Sequence, residues 1–391
     1  MLFYFAADII KLQRKHTAKG VLLMKKIISI LLVASLITTI FIGCSRNKEN
    51  TQVEDHNMLS SGIQETKPFH SIALTDEIIE LADGFSAVQY VGDYGFDDFL
   101  KQGGASSDSE VAAFLMDNIL SDSGSFLFDG NPFGCSTLSV QDTNGNSLFG
   151  RNFDWNTCNA MIVQSRPENG YQSISTVNTD FISMSGINLS ELPDQTQALA
   201  GLYIPLDGLN EMGLAVSVNM IEDRATIEQN TDKPDITTTT AIRLLLDKAA
   251  NVEEAIELLS SYDMHASLGY MVHFAIADRT GNSVVVEYVN DKMVVTKTPV
   301  VTNFYLAEGE KNGIGTQQSH KRYEILMNRL KEMKTMEIND VRDALDHVGK
   351  DNFTEFESTE WSVVMNQSTG EVWYYHRENY NNPYVFTVTG E

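Results

Sequence analysis

The chain has 391 residues, 42% of them hydrophobic and 21% charged, which is enough apolar material for one large folded domain or two ordinary ones. Its formal net charge is −25, from 53 acidic and 28 basic side chains. An acidic surface of this strength repels phosphate backbones, so we expect no nucleic-acid partner; acidic surfaces also keep exported proteins soluble.

The amino-terminal segment has the pattern of an export signal. Lys25 and Lys26 precede an uncharged apolar run over residues 27–42, which ends at Gly43-Cys44. A small residue before cysteine at this place resembles a bacterial lipobox, which implies cleavage before Cys44 and attachment of two acyl chains. Such a pair anchors a protein stably, whereas roughly sixteen apolar residues are short for the alternative, a transmembrane helix. The sequence therefore predicts a lipoprotein anchored on the extracytoplasmic side of a bacterial membrane.

The segments around this signal divide the first part of the chain. Residues 1–23 precede the charged start of the signal and are interpreted as an over-extended gene start, with Met24 as the true initiator. Residues 1–43 then comprise this extension and the signal peptide. Residues 44–75 are polar and poor in aromatic side chains, which is typical of a flexible tether.

Residues 76–134 are predicted to form a helical pro-segment. An apolar period indicates a helix over residues 76–88, and residues 98–104 read as a short helical turn that Gly103-Gly104 ends. Ser107-Asp108 can cap a further helix. Its apolar positions are Val111, Phe114, Leu115 and Ile119.

Strands are predicted from Cys135 onward. Runs at residues 136–140 and 147–152 flank Asp142-Thr143-Asn144-Gly145, a strong hairpin signal. Further strands are predicted at 161–164, 173–177, 214–219, 271–277, 283–288, 292–296, 300–303, 362–366 and 371–376, and helices at 238–248, 252–261, 318–333 and 341–345. This order indicates an α+β domain over residues 135–391, with two sheets between helical layers.

The residues around Cys135 fit amide hydrolysis. Arg151 comes sixteen residues later, and Asp154 follows on the same predicted strand, so a hairpin can bring all three together. A cysteine at a mature amino terminus supplies nucleophile and base at once, since its thiol titrates near about 8.5 and its α-amine near about 8. The Gly134–Cys135 bond must first be cut, and a glycine tolerates the backbone geometry that an N-to-S acyl shift requires.

These residues resemble the linear-amide hydrolases of the choloylglycine hydrolase superfamily, which include bile salt hydrolases, penicillin V acylases, acid ceramidase and N-acylethanolamine acid amidase. The resemblance is carried by residues 134–137 and 150–155, and then in order by residues 210–220, 301–305 and 319–323. It covers about residues 85–390. It implies a four-layer αββα sandwich of the N-terminal-nucleophile hydrolase type, with the self-cleaved pro-segment of the ceramidase branch.

The resemblance also implies a role for each site residue. Cys135 would be the nucleophile and, through its freed amine, the base, while Arg151 would contact the thiolate and lower its pKa. Asp154 would hold the α-amine. Asn219 and Asn303 would be the amide donors to the oxyanion. Arg322 would anchor the polar network behind the nucleophile.

The expected substrate is a small N-acyl amide with an apolar acyl part, such as a bile-acid conjugate, a penicillin V-like amide or a fatty N-acyl amide. Candidates for the acyl pocket, which core packing would equally explain, are Phe153, Trp155, Met184, Leu202 and Tyr203. We expect no metal and no cofactor, because the histidines do not cluster and no nucleotide-binding motif occurs. His273 lies in an apolar run and is interpreted as a buried, hydrogen-bonded histidine.

Other interpretations stay open on the sequence alone. The same fold could transfer the acyl group to an amine instead of water, or the chain could be a lipoprotein that binds acyl ligands and never matures. Cys135 and Cys158 could form a disulfide in an oxidising exterior. The sequence leaves the oligomeric state open, with a homo-oligomer as one option.

Overall fold

The computed structural model describes residues 71–118, 134–183, 188–350 and 358–390. In these ranges the chain forms seventeen strands and eight α-helices. The strands are β1 (Ile79–Ala82), β2 (Phe85–Val91), β3 (Gly134–Gln141), β4 (Ser147–Trp155), β5 (Ala160–Arg166), β6 (Ser173–Asn178), β7 (Asp207–Asn210), β8 (Ala215–Arg224), β9 (Asp235–Thr237), β10 (Asp263–His265), β11 (Tyr270–Ala277), β12 (Ser283–Val289), β13 (Lys292–Lys297), β14 (Val300–Val301), β15 (Ser358–Asn366), β16 (Glu371–His376) and β17 (Tyr384–Thr387). The helices are α1 (Phe96–Lys101), α2 (Asp108–Asn118), α3 (Asp180–Ser183), α4 (Asp194–Leu202), α5 (Thr238–Lys248), α6 (Val252–Ser260), α7 (Gln317–Glu332) and α8 (Ile338–Asp346).

Two large sheets organise these elements. The first has nine strands in the order β1-β2-β5-β6-β7-β8-β11-β12-β13, and the second has six in the order β14-β3-β4-β15-β16-β17. Neighbouring strands run antiparallel throughout both sheets as described, except that β2 lies parallel to β5. A short parallel pair, β9 and β10, stands apart.

Helices cover one face of each sheet. In the nine-stranded sheet α4 packs on β2, β5 and β6, and α5 and α6 cover β7, β8, β11 and β12; in the six-stranded sheet α7 and α8 cover β3, β4, β14 and β15. Alternate strand residues face the two resulting cores: Val363 joins the core between the sheets, and Val364 joins the core under α7 and α8. The expected α+β sandwich with αββα layers is confirmed.

The predicted helix over residues 76–88 is wrong. These residues form the hairpin β1–β2, and β2 extends the nine-stranded sheet by pairing along its whole length with β5. The turn contains Asp83-Gly84, a dipeptide typical of hairpins, and Gly84 has φ +73°, a left-handed conformation that glycine adopts without strain. The apolar period was therefore a strand pattern interrupted by a turn.

The segment before Cys135 is consequently only partly helical. α1 and α2 lie where helices were predicted, and the Ser107 hydroxyl accepts a hydrogen bond from the Glu110 N–H at the start of α2. Because β1 and β2 belong to the same sheet as β5 to β8, residue 134 is not a boundary of the fold. Residues 1–70, with Cys44, the predicted signal and all but the last five residues of the predicted tether, lie outside the described residues, as does Ile119.

From β3 onward the predicted strands and helices are confirmed with small shifts at their ends. The sequence pattern did not predict β7, β9, β10 and β17, or the helices α3 and α4. None of the helices in the described ranges is long and apolar enough to span a membrane.

Candidate active site

Cys135 lies near the start of β3 and is fully buried. In the β3–β4 ladder Thr137 pairs with Arg151, and Cys135 pairs with Phe153. Residues two apart on a strand face the same side, so Cys135 and Arg151 are diagonal neighbours on one face of the sheet. The Arg151 Nη2 lies 3.8 Å from the Cys135 Sγ. The hairpin thus brings the predicted thiol and guanidinium together.

Arg151 is fully buried and held from several sides. Its Nη1 donates to a carboxylate oxygen of Asp207 on β7, and its Nη2 donates to the Val218 carbonyl at 2.9 Å. The rings of Phe153 and Trp361 lie under the guanidinium at 5.3 and 5.9 Å. Asp207 also accepts a hydrogen bond from the Trp361 indole at 2.9 Å. A buried arginine requires a counter-charge, and Asp207, which the sequence analysis missed, provides it.

The backbone of Cys135 is bound by Asn303 and Arg322. The Cys135 N–H donates to Asn303 Oδ1 at 2.8 Å, and Arg322 Nη1 donates to the Cys135 carbonyl at 2.9 Å. Arg322 Nη2 also donates to Asn303 Oδ1 at 2.7 Å. The predicted anchoring role of Arg322 therefore agrees with its position directly behind the nucleophile.

The start of α7 positions these two side chains. Thr316 caps the helix by accepting from the Ser319 N–H at 3.0 Å, and the Ser319 hydroxyl accepts from the Asn303 N–H at 2.6 Å. Arg322 follows one turn later on the same helix. The helix terminus thus fixes both the Asn303 backbone and the reach of Arg322 toward Cys135.

Asp154 lies beside the peptide bond that precedes the nucleophile. Its Oδ1 accepts from the Thr359 hydroxyl at 2.8 Å, and its Oδ2 accepts from Arg322 Nη1 at 3.0 Å. In the strand register Asp154 is opposite Gly134. A Cβ atom placed on Gly134 would lie 2.8 Å from Asp154 Oδ2, which is closer than such contacts allow. Gly134 does not have a positive φ, so the close approach of neighbouring side chains, and not the expected backbone freedom, favours a glycine here.

The two asparagines differ in what their amides do. Asn303 Nδ2 donates to the Met220 carbonyl at 2.6 Å, and its Oδ1 faces the Cys135 N–H. Asn219 Nδ2 makes only a long hydrogen bond of 3.5 Å to the Val301 carbonyl. In this geometry Asn219 retains a donor that can be redirected, whereas Asn303 binds the backbone of the nucleophile. The predicted oxyanion role fits Asn219 better than Asn303.

Burial raises the pKa of the Cys135 thiol above its ordinary value, although the nearby Arg151 guanidinium opposes this effect. Asp154 raises the pKa further, while Arg322 and a hydrogen bond from the Met220 backbone lower it. The expected net lowering of the pKa is therefore not found while Gly134 is attached. Arg151 acts in the predicted direction, but burial outweighs it.

His273 is a buried, hydrogen-bonded histidine, as predicted. One ring nitrogen contacts the Thr302 carbonyl at 2.7 Å, and the other contacts Glu287 Oε1 at 2.9 Å. Glu287 also accepts from the backbone N–H groups of Leu306 and Ala307. This pair therefore fixes the backbone on both sides of Asn303.

The acyl-pocket candidates separate into two groups. Phe153 stacks on Trp361 at 4.0 Å between ring centroids, and Tyr203 packs among Phe96, Phe99 and Phe114. These side chains, and the fully buried Leu202, are core. Trp155, at the end of β4 next to Asp154, packs against Phe181 and Tyr270 and remains a candidate. Met184 lies outside the described residues.

Cys135 and Cys158 are both free thiols, so the structure does not contain the alternative disulfide. Across the described ranges, no three or more His, Cys, Asp or Glu side chains are grouped so that they could hold a metal ion.

Comparison with known proteins bears on this arrangement. Residues 135–305 match the family model described as "Linear amide C-N hydrolases, choloylglycine hydrolase family", which begins at Cys135 and ends just after Asn303. The matched part of the chain, which contains Cys135, Arg151 and Asp154, thus has the sequence pattern of the choloylglycine hydrolase family. The match supports a linear amide C-N hydrolase. A search of curated protein sequences gave no match.

Three solved structures are similar to this chain to different degrees. A cysteine-to-alanine variant of the conjugated bile acid hydrolase from Clostridium perfringens superposes with a TM-score of 0.51 at 19% identity, covering 66% of this chain and 93% of that one. The penicillin V acylase from Agrobacterium tumefaciens has a TM-score of 0.48 at 18% identity, covering 64% and 84%. The Caenorhabditis elegans ortholog of N-acylethanolamine-hydrolyzing acid amidase has a TM-score of 0.41 at 16% identity, covering 60% and 93%. The first of these similarities establishes the fold alone.

Proposed function

We propose that this hydrolase uses Cys135 as nucleophile and base after self-cleavage of the Gly134–Cys135 bond. The observation that carries the proposal is that the thiol and the backbone nitrogen of Cys135 each contact a side chain suited to its proposed role. The Cys135 Sγ lies 3.8 Å from Arg151, and the Cys135 backbone nitrogen, which would become the α-amine, donates to Asn303. Both reacting atoms are thus held by charged or polar partners before the bond is cut.

The surroundings of the backbone nitrogen suit an amine. Asn303 Oδ1 is an acceptor at 2.8 Å, and the Asp154 carboxylate borders the space that Gly134 occupies. An ammonium group needs acceptors, and a carboxylate with an amide oxygen supplies them. We therefore assign Asp154 and Asn303 to the α-amine, and Arg151 to the thiolate.

These positions support the following proposed reaction. The α-amine takes the thiol proton, and Sγ attacks the carbonyl carbon of the substrate amide. The ammonium returns this proton to the departing nitrogen as the C–N bond breaks, which leaves a thioester. Water, deprotonated by the same amine, then releases the carboxylic acid. Asn219 Nδ2 would exchange its long contact with Val301 for the oxyanion.

The match to the hydrolase family and the apolar side chains near the site support a proposal for the substrate class. A linear N-acyl amide with an apolar acyl group, such as a conjugated bile acid, a penicillin V-like amide or a fatty N-acyl amide, would place its acyl part near Trp155, Phe181 and Tyr270. We further propose that Cys44 carries the lipid anchor, which would hold the enzyme on the extracytoplasmic face of the membrane.

The test combines processing with turnover. Wild type, Cys135→Ser and Cys135→Ala are purified, and each is analysed by intact mass and amino-terminal sequencing. Wild type should begin at Cys135 in its larger fragment, whereas both variants should stay whole. Glycocholate, penicillin V and an N-acylethanolamine are then assayed with and without an added amine, which would reveal acyl transfer. Full hydrolysis by Cys135→Ala would contradict the proposal.

A further inference from the structure

Lys350 places its amine against the residue that precedes the nucleophile. A Cβ atom built on Gly134 would lie 2.6 Å from the Lys350 Nζ and 3.0 Å from its Cε. Cβ and the carbonyl carbon of one residue share the same Cα and are about 2.5 Å apart, so Nζ lies within about 5 Å of the Gly134 carbonyl carbon. This carbon is the one that self-cleavage must attack.

The backbone of Lys350 is fastened to the active site by Thr359. The Lys350 N–H donates to the Thr359 hydroxyl at 2.8 Å, and the Thr359 N–H donates to the Lys350 carbonyl at 2.9 Å. The same Thr359 hydroxyl donates to Asp154 at 2.8 Å. One threonine therefore sets the positions of both charged side chains that border Gly134.

The side chain is buried, with 8% of the residue exposed. Burial lowers the pKa of the Lys350 ammonium, and Arg322 lowers it further, while Asp154 opposes both. A buried ammonium is costly unless negative charge is near it. A negative charge formed on Gly134 would lie close to this ammonium and would add to the attraction that Asp154 already exerts on it.

We propose that Lys350 serves the self-cleavage of the Gly134–Cys135 bond, first by stabilising negative charge on the Gly134 carbonyl oxygen and then by binding the Gly134 carboxylate. This inference rests on the proposed maturation. Sγ bonds to the Gly134 carbonyl carbon, the C–N bond breaks, and the thiol proton moves to the Cys135 nitrogen. Water then splits the thioester: its oxygen joins Gly134, and a proton returns to Sγ. Lys350 contributes charge and exchanges no proton.

The first test follows cleavage in time. The full chain is made by pulsed translation in vitro, and its conversion into two fragments is measured for wild type, Lys350→Met, Lys350→Ala, Lys350→Arg and a control, Lys248→Met. Lys248 is a half-buried lysine that pairs with Asp97. Lys350→Met and Lys350→Ala should slow cleavage tenfold or more, Lys350→Arg should restore most of the rate, and Lys248→Met should match wild type. Propylammonium chloride, but not sodium chloride, should accelerate Lys350→Ala.

The second test detects the carboxylate. A carbodiimide joins a lysine amine directly to a carboxylate, so it should link the two fragments of the cleaved enzyme through Gly134 and Lys350, as peptide mass spectrometry would show. Lys350→Arg should not be linked. Equal cleavage rates in wild type and Lys350→Met would overturn this inference alone. So would slow cleavage of Lys350→Met and Lys350→Ala if Lys350→Arg is equally slow and propylammonium does not accelerate Lys350→Ala. Failure of wild type to cleave itself would overturn the maturation proposal as well.

Discussion

Arg151 binds Asp207 through Nη1, while Nη2 of the same guanidinium lies 3.8 Å from the Cys135 Sγ. All three side chains are fully buried. Two charges therefore act on the thiol: the Arg151 guanidinium, which lies next to it, and the Asp207 carboxylate, which lies on the other side of Arg151. Since screening by solvent is weak at such a site, both charges should be measurable at the sulfur.

Replacing Arg151 and replacing Asp207 should move the pKa of the Cys135 thiol in opposite directions. Arg151→Met removes the positive charge, so the pKa of Cys135 should rise and its alkylation midpoint should move to higher pH. Asp207→Asn leaves the arginine without its counter-charge, so the midpoint should move to lower pH. Both variants should lose about 3–5 kcal/mol of stability, because each leaves a buried charge without its partner. The measurement is the iodoacetamide reaction rate of the enzyme against pH.

The matched control is Arg342→Met, since Arg342 is a surface arginine that pairs with Asp343. Its alkylation profile should equal that of wild type. Shifts of the same sign in Arg151→Met and Asp207→Asn would show that structural loss, and not charge, controls the thiol.

Cys158 should be dispensable for processing. Burial raises its thiol pKa well above the ordinary value, and Glu360 adds to this, so a reactive thiolate is scarce there. Cys158→Ala should cleave itself at the wild-type rate. Denatured wild type should alkylate at both Cys135 and Cys158 without prior reduction. A disulfide-linked peptide that contains both residues would contradict the structure.

The sequence predicts mainly those site residues that lie close together along the chain. Cys135, Arg151 and Asp154 belong to one hairpin, whose turn residues and strand pattern can be read directly. Asp207 reaches Arg151 from another sheet, so only the rule that a buried arginine needs a counter-charge could have indicated it. Lys350 carries no local signal at all, because its position depends on the pairing of its backbone with Thr359.

The error at residues 76–88 has a similar origin. An apolar period in a short segment fits a helix and a half-buried strand almost equally well. The partner that decides between them is β5, some seventy residues later, where Val88 pairs with Val163. A local pattern does not contain that pairing, although Asp83-Gly84 marked the turn.

The Glu287–His273 pair should matter for turnover without contacting substrate. The Glu287 carboxylate is hydrogen-bonded to the backbone N–H groups of Leu306 and Ala307 and to the His273 ring. Glu287→Gln removes its negative charge, which should cost about 2–4 kcal/mol of stability. Because His273 holds the Thr302 carbonyl next to Asn303, kcat should fall more than KM rises. Urea unfolding and steady-state kinetics measure the two effects. The exposed Glu253→Gln should change neither, and an unchanged kcat in Glu287→Gln would exclude a positioning role.

The fragment before Cys135 should stay bound after cleavage. β2 is hydrogen-bonded to β5 over its full length, and Phe85, Ala87 and Val88 are buried in the main hydrophobic core. Its removal would expose this core to water. Both fragments should therefore elute together in gel filtration and separate only in denaturant. Val88→Asp, which buries a charge at the pairing with β5, should weaken the complex. A larger fragment that is active and soluble alone would contradict this expectation.

Acid should weaken the contact between this fragment and the second sheet. His376 on β16 stacks on Phe85 of β2, with ring centroids 4.7 Å apart and planes within 7°. Burial, reinforced by Arg377, lowers the pKa of His376 to about 4. An unfolded histidine titrates near about 6.5, so between these values only the unfolded state takes up the proton. Stability should thus fall as pH drops from 6.5 toward 4, by about 1–2 kcal/mol after allowance for partial exposure.

The variant His376→Phe isolates this effect, because it keeps an aromatic ring against Phe85 and removes the titration. Denaturant midpoints at pH 7.5 and pH 4.5 should differ less in His376→Phe than in wild type. The exposed His347→Phe should keep the wild-type difference. If His376→Phe and wild type lose the same stability between the two pH values, protonation of His376 does not control the interface, and the acid sensitivity must come from the carboxylates.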